Sequence, residues 1–304
     1  MRTTANIGAG YLQTYLKKEV LENLEPNLYF AQYGMKNTMG DGYFTMSWPR
    51  VAKLTRTIAQ ATLTEGVVPT DTDITFSTIS ATPVQYGIYA KIPDMLIKTS
   101  PTNIIANAGS VIGANMARIM DKVIQAELLN GTNTILPAGR ANRAAIQATD
   151  LITGAMIANA TTKLRSLNAT AISQGCFYAI CHSFVAGDIR NTSSGLWIEA
   201  NKYTTNETIL NGEVGKLSGI RFMETSNIDS IASTVTVYPT YVFGKDAYGV
   251  ANWQNMETYY KPVGSAGSAD PMNQIATVGA KVSFATKILD DGALVRIESA
   301  ATAV

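Results

Sequence analysis

The chain has 304 residues, enough for one large or two medium domains with a sizeable core. Its 24 Lys and Arg residues balance 23 Asp and Glu residues, and a formal charge of +1 provides no overall field toward nucleic acid, an anionic membrane or acidic substrates. Charged residues make up only 15% of the chain, and this depletion weakly favours a surface that neighbouring subunits cover.

The cysteine content and the apolar stretches narrow the class further. Cys176 and Cys181 are too few for a disulfide scaffold and fit synthesis in a reducing compartment. The first residues lack the apolar run of a signal peptide, so we expect no secretory route. The most apolar stretch, 104–120, contains two Asn residues and an Arg, which does not fit a membrane span.

The first quarter of the chain predicts a helix, a strand and a long loop. Apolar residues at helical spacing predict an amphipathic helix over 11–25, which Pro26 ends. Alternation over 43–48 predicts a strand, and Pro49 then opens a low-complexity passage that continues to about residue 73. Because this passage has few large apolar groups, we expect an extended loop or hairpin that packs on something else.

The next segment predicts a strand followed by a long helix. Residues 84–92 alternate between apolar side chains and polar or small ones, which is typical of a strand with one buried face. Thr99-Ser100-Pro101 is typical of a helix start. Apolar residues then recur in steps of three and four, and a helix over 101–130 would be roughly 40 Å long, longer than most globular helices.

The second half of the chain mixes helical and strand patterns, which predicts a compact α+β subdomain over 150–250. The predicted elements are a helix over 153–168 and strands over 177–181, 220–224 and 235–243. Alternation over 277–284 predicts a further strand. After Asp291-Gly292 the run 294–298 is expected to fold back on that strand as a hairpin.

Histidine and cysteine offer little support for catalysis or metal binding. His182 is the one histidine, so a His base would have to be this residue; we instead expect it to cap or end the strand over 177–181. Cys176, Cys181 and His182 lack the paired spacing and the fourth ligand of a structural zinc site. Buried thiols are the favoured interpretation.

Two further motifs are weak signals of chemistry. In Gly212–Lys216 the glycines stand three apart, and Leu217 replaces the hydroxyl that would meet magnesium in a phosphate loop, so a turn is expected. The acidic pairs Asp290-Asp291 and Asp71 with Asp73 are expected to be solvated turns rather than a catalytic carboxylate pair. We therefore predict no catalytic, cofactor-binding or metal-binding residues.

Local motifs from about residue 11 to residue 298 point to one family. In these motifs, and in their order and spacing, the chain resembles the major capsid proteins of tailed double-stranded DNA bacteriophages, in particular those related to coliphage N-four. The order of the predicted elements also resembles that of the Hong Kong 97-type capsid fold. The motifs are LTEGVVP at 63–69, QYG at 85–87, LNGTN at 129–133, ILNGEVGKLSGIRF at 209–222, VFGKDAYG at 242–249 and GSAGSADPMNQ at 264–274.

The resemblance implies an α+β Hong Kong 97-type fold and a structural, non-enzymatic role. In that family the protein assembles in the host cytoplasm as hexamers and pentamers, which close the icosahedral shell of the virion around double-stranded DNA. It implies a portal protein, a scaffold protein and a decoration protein as partners, with DNA contacted without sequence specificity. The implied segments are an N-terminal arm at 1–41, an E-loop at 42–80, a peripheral domain at 81–149 with a spine helix at 101–130, an axial domain at 150–250, and returning strands of the peripheral domain at 251–304.

Two other functions stay open at this point. One is a shell protein of a host-derived compartment with the same fold, or another phage structural protein. Encapsulated DNA, as opposed to cargo protein, would distinguish the capsid from the compartment. The other is a carboxylate-dependent enzyme, from which the size of the assembled particle would distinguish a shell.

Overall fold

The computed structural model describes residues 29–38, 40, 42–51, 54, 57–68, 71–99, 103–173, 175–192, 213–265 and 270–302. The helix predicted over 11–25 lies outside these residues. The α-helices are α1 (Tyr29–Tyr33), α2 (Ile58–Ala61), α3 (Asp94–Thr99), α4 (Ile104–Leu128), α5 (Gly154–Ser166) and α6 (Ser183–Thr192). The strands are β1 (Met35–Thr38), β2 (Met46–Val51), β3 (Phe76–Ala81), β4 (Val84–Pro93), β5 (Thr134–Ile135), β6 (Phe177–His182), β7 (Glu213–Leu217), β8 (Ile220–Thr225), β9 (Tyr238–Phe243), β10 (Tyr248–Lys261), β11 (Ile275–Ile288) and β12 (Leu294–Ser299).

The strands form three sheets, and helices cover two of them. A four-stranded sheet has the order β1-β10-β11-β4, and helix α4 packs on its strands β11 and β4. A six-stranded sheet has the order β5-β12-β9-β6-β8-β7, with α5 against β12 and α6 against β6 and β8. Strands β2 and β3 pair only with each other. The fold is therefore mixed α+β, with one core under α4 and a second in the six-stranded sheet.

Helix α4 follows from its apolar pattern, but it begins later than predicted. The helix begins at Ile104, and the Asn103 side chain caps it by accepting a hydrogen bond from the Ala106 N–H at 3.2 Å. Ser and Asn are equally good N-terminal caps of a helix. Residues of the helix are buried from Ile105 onward, which favours a start after Asn103. Gly109 and Gly113 lie on the buried face, as expected for close packing.

The alternation predicted over 84–92 is confirmed in β4. Its even-numbered residues from Tyr86 to Ile92 pack toward the core under α4, whereas its odd-numbered residues from Gln85 to Lys91 are exposed. The predicted helix over 153–168 is also confirmed, as α5, and the Thr153 hydroxyl caps it by accepting from the Met156 N–H. Periodic patterns thus gave these elements correctly.

The hairpin predicted near the C-terminus is wrong. Strand β11 already has β10 on one edge and β4 on the other, so it offers no free edge to β12. A short turn at Asp291–Ala293 instead carries β12 into the six-stranded sheet, where it lies between β5 and β9. All six residues of β12 are buried, which this central position explains.

The turn predicted at Gly212–Lys216 is also wrong. Residues Glu213–Leu217 form β7, which pairs antiparallel with β8 at the edge of the six-stranded sheet. The turn follows at Ser218 and Gly219, which both have positive φ, as a tight two-residue hairpin requires. One register shift, between Glu213 and Gly215, interrupts the period of two and obscures the strand in the sequence.

A buried ionic cluster ties β12 to the end of α4. Glu298 accepts hydrogen bonds from Arg296 at 2.7 Å and from Arg143 at 2.6 Å. The Arg296 guanidinium also donates to the carbonyl oxygens of Leu129 and Gly131. Burial alone would raise the pKa of Glu298, but the hydrogen bonds from the two arginines outweigh it and lower this pKa. The cluster connects the helix that covers one sheet to a central strand of the other.

Asp121 is a buried carboxyl group within α4. It has no exposed surface, and one of its oxygens accepts a hydrogen bond from the Tyr29 N–H at 3.4 Å. No described group hydrogen-bonds to its other oxygen. Burial raises the pKa of Asp121 from its ordinary value of 3.8 to about 7, although backbone hydrogen bonds such as that from Tyr29 offset part of the effect.

This buried carboxyl predicts a pH-dependent stability. Because the folded state binds the Asp121 proton more tightly than the unfolded state, its contribution is present at low pH and is lost as the pH rises from 3.8 to about 7. The free energy of unfolding of unassembled subunits should fall by about 2–3 kcal/mol between about pH 5 and about pH 8 through this group. Asp121→Asn should flatten that dependence and be the more stable protein at about pH 8, as measured by denaturant unfolding. Glu65→Gln, at an exposed carboxylate, is the control, and an unchanged pH profile in Asp121→Asn would contradict the prediction.

Candidate assembly interface

The described residues of the loop from residue 42 to residue 80 are almost all exposed and form almost no core of their own. Strands β2 and β3 pair in register from Met46 opposite Ala81 to Val51 opposite Phe76. Of the residues in these two strands only Trp48 is buried. A two-stranded ribbon is marginally stable by itself in water, so this loop depends on contacts at its base and along its length.

The loop nevertheless carries large apolar side chains, contrary to the prediction that it has few. Ile58 is 89% exposed and Val68 is 90% exposed. Large apolar areas that stay exposed on a single subunit are typical of surfaces that contact another molecule. The exposed apolar residues of the loop are Tyr43, Phe44, Val51, Leu54, Ile58, Leu63, Val67, Val68, Ile74 and Phe76.

Short-range hydrogen bonds give the middle of the loop some local order. The Thr57 N–H donates to the Gln60 side chain at 3.0 Å, and the Thr62 hydroxyl donates to the Ile58 carbonyl at 2.9 Å. These bonds bracket the single turn of α2, and both are exposed to solvent. The Ile58 side chain at the start of this turn is exposed.

A socket of small residues fixes the base of the loop. The Trp48 indole packs on Ala251 of β10 and Ala285 of β11, and Leu289 closes its side. A Cβ atom at Gly249 would meet the Trp48 ring at 3.0 Å, so the close approach of the ring needs glycine there. The four-stranded sheet therefore provides the one apolar contact that positions the ribbon.

An ion pair lies beside this socket. The Arg50 guanidinium contacts the Asp290 carboxylate at 3.1 Å, and both side chains are nearly half exposed. Such a pair contributes little stability, so its effect is to orient the ribbon. Asp290 also accepts a hydrogen bond from the Gly292 N–H, and Asp291 accepts from the Thr132 N–H at 3.0 Å. Both acids lie in a partly exposed turn, as predicted, and in addition both contact neighbouring segments of the chain.

The other residues tested for chemistry have structural positions. His182 ends β6, and its Nδ1 accepts a hydrogen bond from the Phe184 N–H at 3.2 Å, as predicted for a capping residue. Burial lowers the pKa of His182, which keeps the ring neutral. Cys176 and Cys181 are buried free thiols, and burial raises the pKa of Cys181 to about 12. Asp71 and Asp73 are both exposed.

Within the described part of the chain, no group of three or more His, Cys, Asp or Glu side chains has the arrangement of a metal site. No described helix is long and apolar enough to cross a membrane. A cleft of about 620 Å³ lies on the exposed face of the four-stranded sheet, and another of about 460 Å³ lies at the base of the loop.

Comparison with known proteins identifies the family. The chain belongs to the phage capsid protein family, whose sequence profile matches residues 76–297. The protein is accordingly a structural subunit of a phage capsid shell, and self-assembly is its activity. No curated protein matches the chain.

Solved structures show the fold. The chain is similar to the capsid of Ralstonia phage GP4, with a TM-score of 0.73 and 11% identity over 89% of this chain and 88% of that chain. It is also similar to the cyanophage Pam1 capsid, with a TM-score of 0.65 and 14% identity over 93% of both chains. A virus-like particle from Pyrococcus furiosus has a TM-score of 0.56 and 9% identity, covering 95% of this chain and 98% of that one. The fold is therefore the Hong Kong 97-type capsid fold predicted from the sequence.

The role of Trp48 predicts the effect of removing it. Trp48→Ala should lower the free energy of unfolding by about 2–4 kcal/mol, because it empties the socket on β10 and β11. It should also speed limited proteolysis between residues 51 and 75, since the ribbon loses its anchor. Trp253→Ala is the matched control, because Trp253 is 41% exposed on the same sheet. Equal effects of the two substitutions would show that Trp48 does not anchor the loop.

Proposed function

We propose that this subunit is a major capsid protein that forms hexamers and pentamers, which close an icosahedral shell around double-stranded DNA. The observation that carries the proposal is the apolar surface of the loop, which its own subunit leaves exposed. Burial of a Val, Leu or Ile side chain is worth about 1.5–3 kcal/mol. Adjacent subunits that each cover a neighbour's loop would gain this stabilisation at every interface of a closed ring.

The proposed division of the chain follows the predicted one, with one change. The segments are an arm at 1–41, whose strand β1 pairs with β10, an E-loop at 42–80, a peripheral domain built on α4 and on β4, β10 and β11 of the four-stranded sheet, and an axial domain over 150–250. The change concerns the returning strands at 251–304, because β12 pairs with β9 and β5 of the six-stranded sheet. We therefore assign β12 to the axial domain and keep β10 and β11 in the peripheral domain.

We further propose that the protein has no enzymatic activity and assembles in the host cytoplasm. Its proposed partners are a portal protein, a scaffold protein and a decoration protein. Packaged DNA would be contacted without sequence readout, since the formal charge is +1 and the sequence contains no base-reading motif. Nuclease-protected DNA inside purified particles would support a capsid, whereas a protein cargo would favour a host-derived compartment.

Shortening the loop tests the proposal directly. Replacing residues 52–74 with a short Gly-Ser linker should leave the fold intact, because the cores under α4 and in the six-stranded sheet lie outside this segment. It should abolish closed shells, because it removes most of the exposed apolar side chains of the loop. Circular dichroism and thermal melting would report the fold, and electron microscopy of the same preparation would report assembly.

The matched control replaces residues 193–212 with a linker of the same composition. Normal shells from the loop replacement would contradict the assembly role of the loop. An unfolded subunit would show that the loop belongs to the core.

A further inference from the structure

Helix α1 fastens the N-terminal part of the chain to the middle of α4. Its Phe30 side chain has no exposed surface and meets the Tyr241 ring edge-on, with the ring centres 5.6 Å apart. The Tyr248 hydroxyl of β10 donates to the Phe30 carbonyl oxygen at 2.5 Å. Helix α1 also packs directly on α4. Residues 1–28 therefore join the body of the subunit at this contact, which we call the α1 joint.

The buried carboxyl group of Asp121 lies in the α1 joint. The backbone N–H groups of Tyr29 and Phe30 donate to it from α1, and the Asn227 side chain donates to it from the segment after β8. The carboxyl group has no exposed surface in this arrangement. Since two of its three donors belong to α1, movement of α1 away from α4 would open the carboxyl group to water.

The segment after β8 stays in place when α1 moves, because another residue of α4 holds it. The Gln125 side chain donates to the Asn227 carbonyl oxygen at 2.8 Å and accepts from the Asp229 N–H at 3.2 Å. These bonds involve neither α1 nor the Asp121 carboxyl group. The α1 joint can thus open on one side only.

The donors in the closed joint suit a neutral carboxyl group better than an ionised one. A carboxylate has about four acceptor sites, but one oxygen of Asp121 has no hydrogen-bond partner among the described groups. A buried carboxylate in this position loses more hydration than the few donors replace. In the open joint, water would supply the missing hydrogen bonds. The ionised form therefore favours the open joint, and the neutral form favours the closed one.

The surrounding charged groups do not compensate the carboxylate. Lys122, the next residue on α4, is about half exposed and pairs with Asp229 at 2.9 Å. Burial raises the pKa of Tyr241 and Tyr248, so both stay neutral over the range in which Asp121 titrates. The titratable groups of the elements around Asp121 are Tyr29 and Tyr33 of α1, Tyr86 of β4, Tyr241 of β9, Tyr248 of β10, Asp229 after β8, and Arg118, Lys122 and Glu127 of α4.

We propose that Asp121 is a pH-sensitive switch for the α1 joint, in which the neutral carboxyl group keeps α1 on α4 and the ionised carboxylate favours its release. The switch exchanges a proton with water and involves no covalent step. It controls how the N-terminal arm leaves the body of the subunit. This role goes beyond the proposed function and does not depend on the formation of shells.

The direction of the pH effect follows from the two states of the joint. In the closed joint, burial raises the pKa of Asp121 from 3.8 to about 7, and in the open joint the carboxyl group returns toward its ordinary value. The closed joint therefore binds the proton more tightly, so its extra stability is present at low pH and is lost as the pH rises through about 7. The equilibrium constant for closing should fall about tenfold between about pH 6 and about pH 8.

Amide hydrogen exchange in unassembled full-length subunits tests the switch. After correction for the intrinsic pH dependence of exchange, the protection of the amides of residues 30–33 should fall about tenfold from about pH 6 to about pH 8. Low concentrations of urea should leave the exchange of these amides nearly unchanged while they accelerate that of the α4 amides, because a local opening exposes little surface. An α1 protection that does not vary with pH, or that varies only together with global unfolding, would overturn the proposal.

Three substitutions separate the switch from the other contacts of the joint. Asp121→Asn should remove the pH dependence and leave α1 about tenfold better protected than in the wild type at about pH 8. Asp121→Ser, which also lacks a titrating group, should remove the pH dependence too and serves if the Asn variant does not fold. Tyr248→Phe should lower the protection by the same factor at both pH values and keep the tenfold dependence, because it removes a hydrogen bond that does not titrate.

Asp229→Asn is the matched control, since it removes an exposed acid of the adjoining segment and should keep the wild-type pH dependence. A tenfold dependence that persists without Asp121, or that disappears in Asp229→Asn, would contradict the assignment to Asp121. The subunits are unassembled throughout, so failure of the switch would leave the proposed function standing, and absence of shells would leave the switch standing.

Discussion

Apolar side chains on the loop between β2 and β3 are held away from the subunit that carries them, and this constraint shapes the rest of the structure. Ile58 and Val68 are almost fully exposed, and ordering the backbone costs about 1–2 kcal/mol per residue. The subunit does not repay that cost, because only Trp48 in the ribbon is buried. A neighbour that covered the loop would offset it, and ring closure would repeat the gain at each interface.

The body of the subunit is closely packed, whereas the loop is exposed. Helix α4 packs on the four-stranded sheet along a largely apolar face, and the cluster of Arg143, Arg296 and Glu298 connects its C-terminal end to the six-stranded sheet. The Trp48 socket lies on β10 and β11, so the ribbon starts from the most extensively paired part of the four-stranded sheet. The base of the loop is anchored and its distal half is exposed, which suits a segment that contacts a neighbouring subunit at a defined angle.

Elements with a clear period could be predicted from the sequence, because one buried face is enough to define them. The alternation in β4, the steps of three and four in α4 and the hydroxyl cap of α5 are local signals. The motifs and their order also led to the correct capsid fold. Features set by distant partners could not be predicted in this way. Strand β12 joins the six-stranded sheet, since both edges of β11 are already paired. The contacts of Asp290 and Asp291 depend on Arg50 and on Thr132, which are distant in sequence.

The apolar loop was missed for a different reason. Its large side chains have no period, so they resemble neither a helix nor a strand, although a simple count of Val, Leu and Ile from Val51 to Ile74 would have revealed them. Unpatterned apolar residues in a segment without a core are themselves a signal of an intermolecular contact.

Amide hydrogen exchange of residues 57–68, compared between unassembled subunits and closed shells, tests the central claim most directly. If a neighbouring subunit covers the loop, these amides should exchange rapidly in subunits and become strongly protected in shells, while the amides of α4 should be protected in both. Equally rapid exchange of the loop in subunits and in shells would contradict the account.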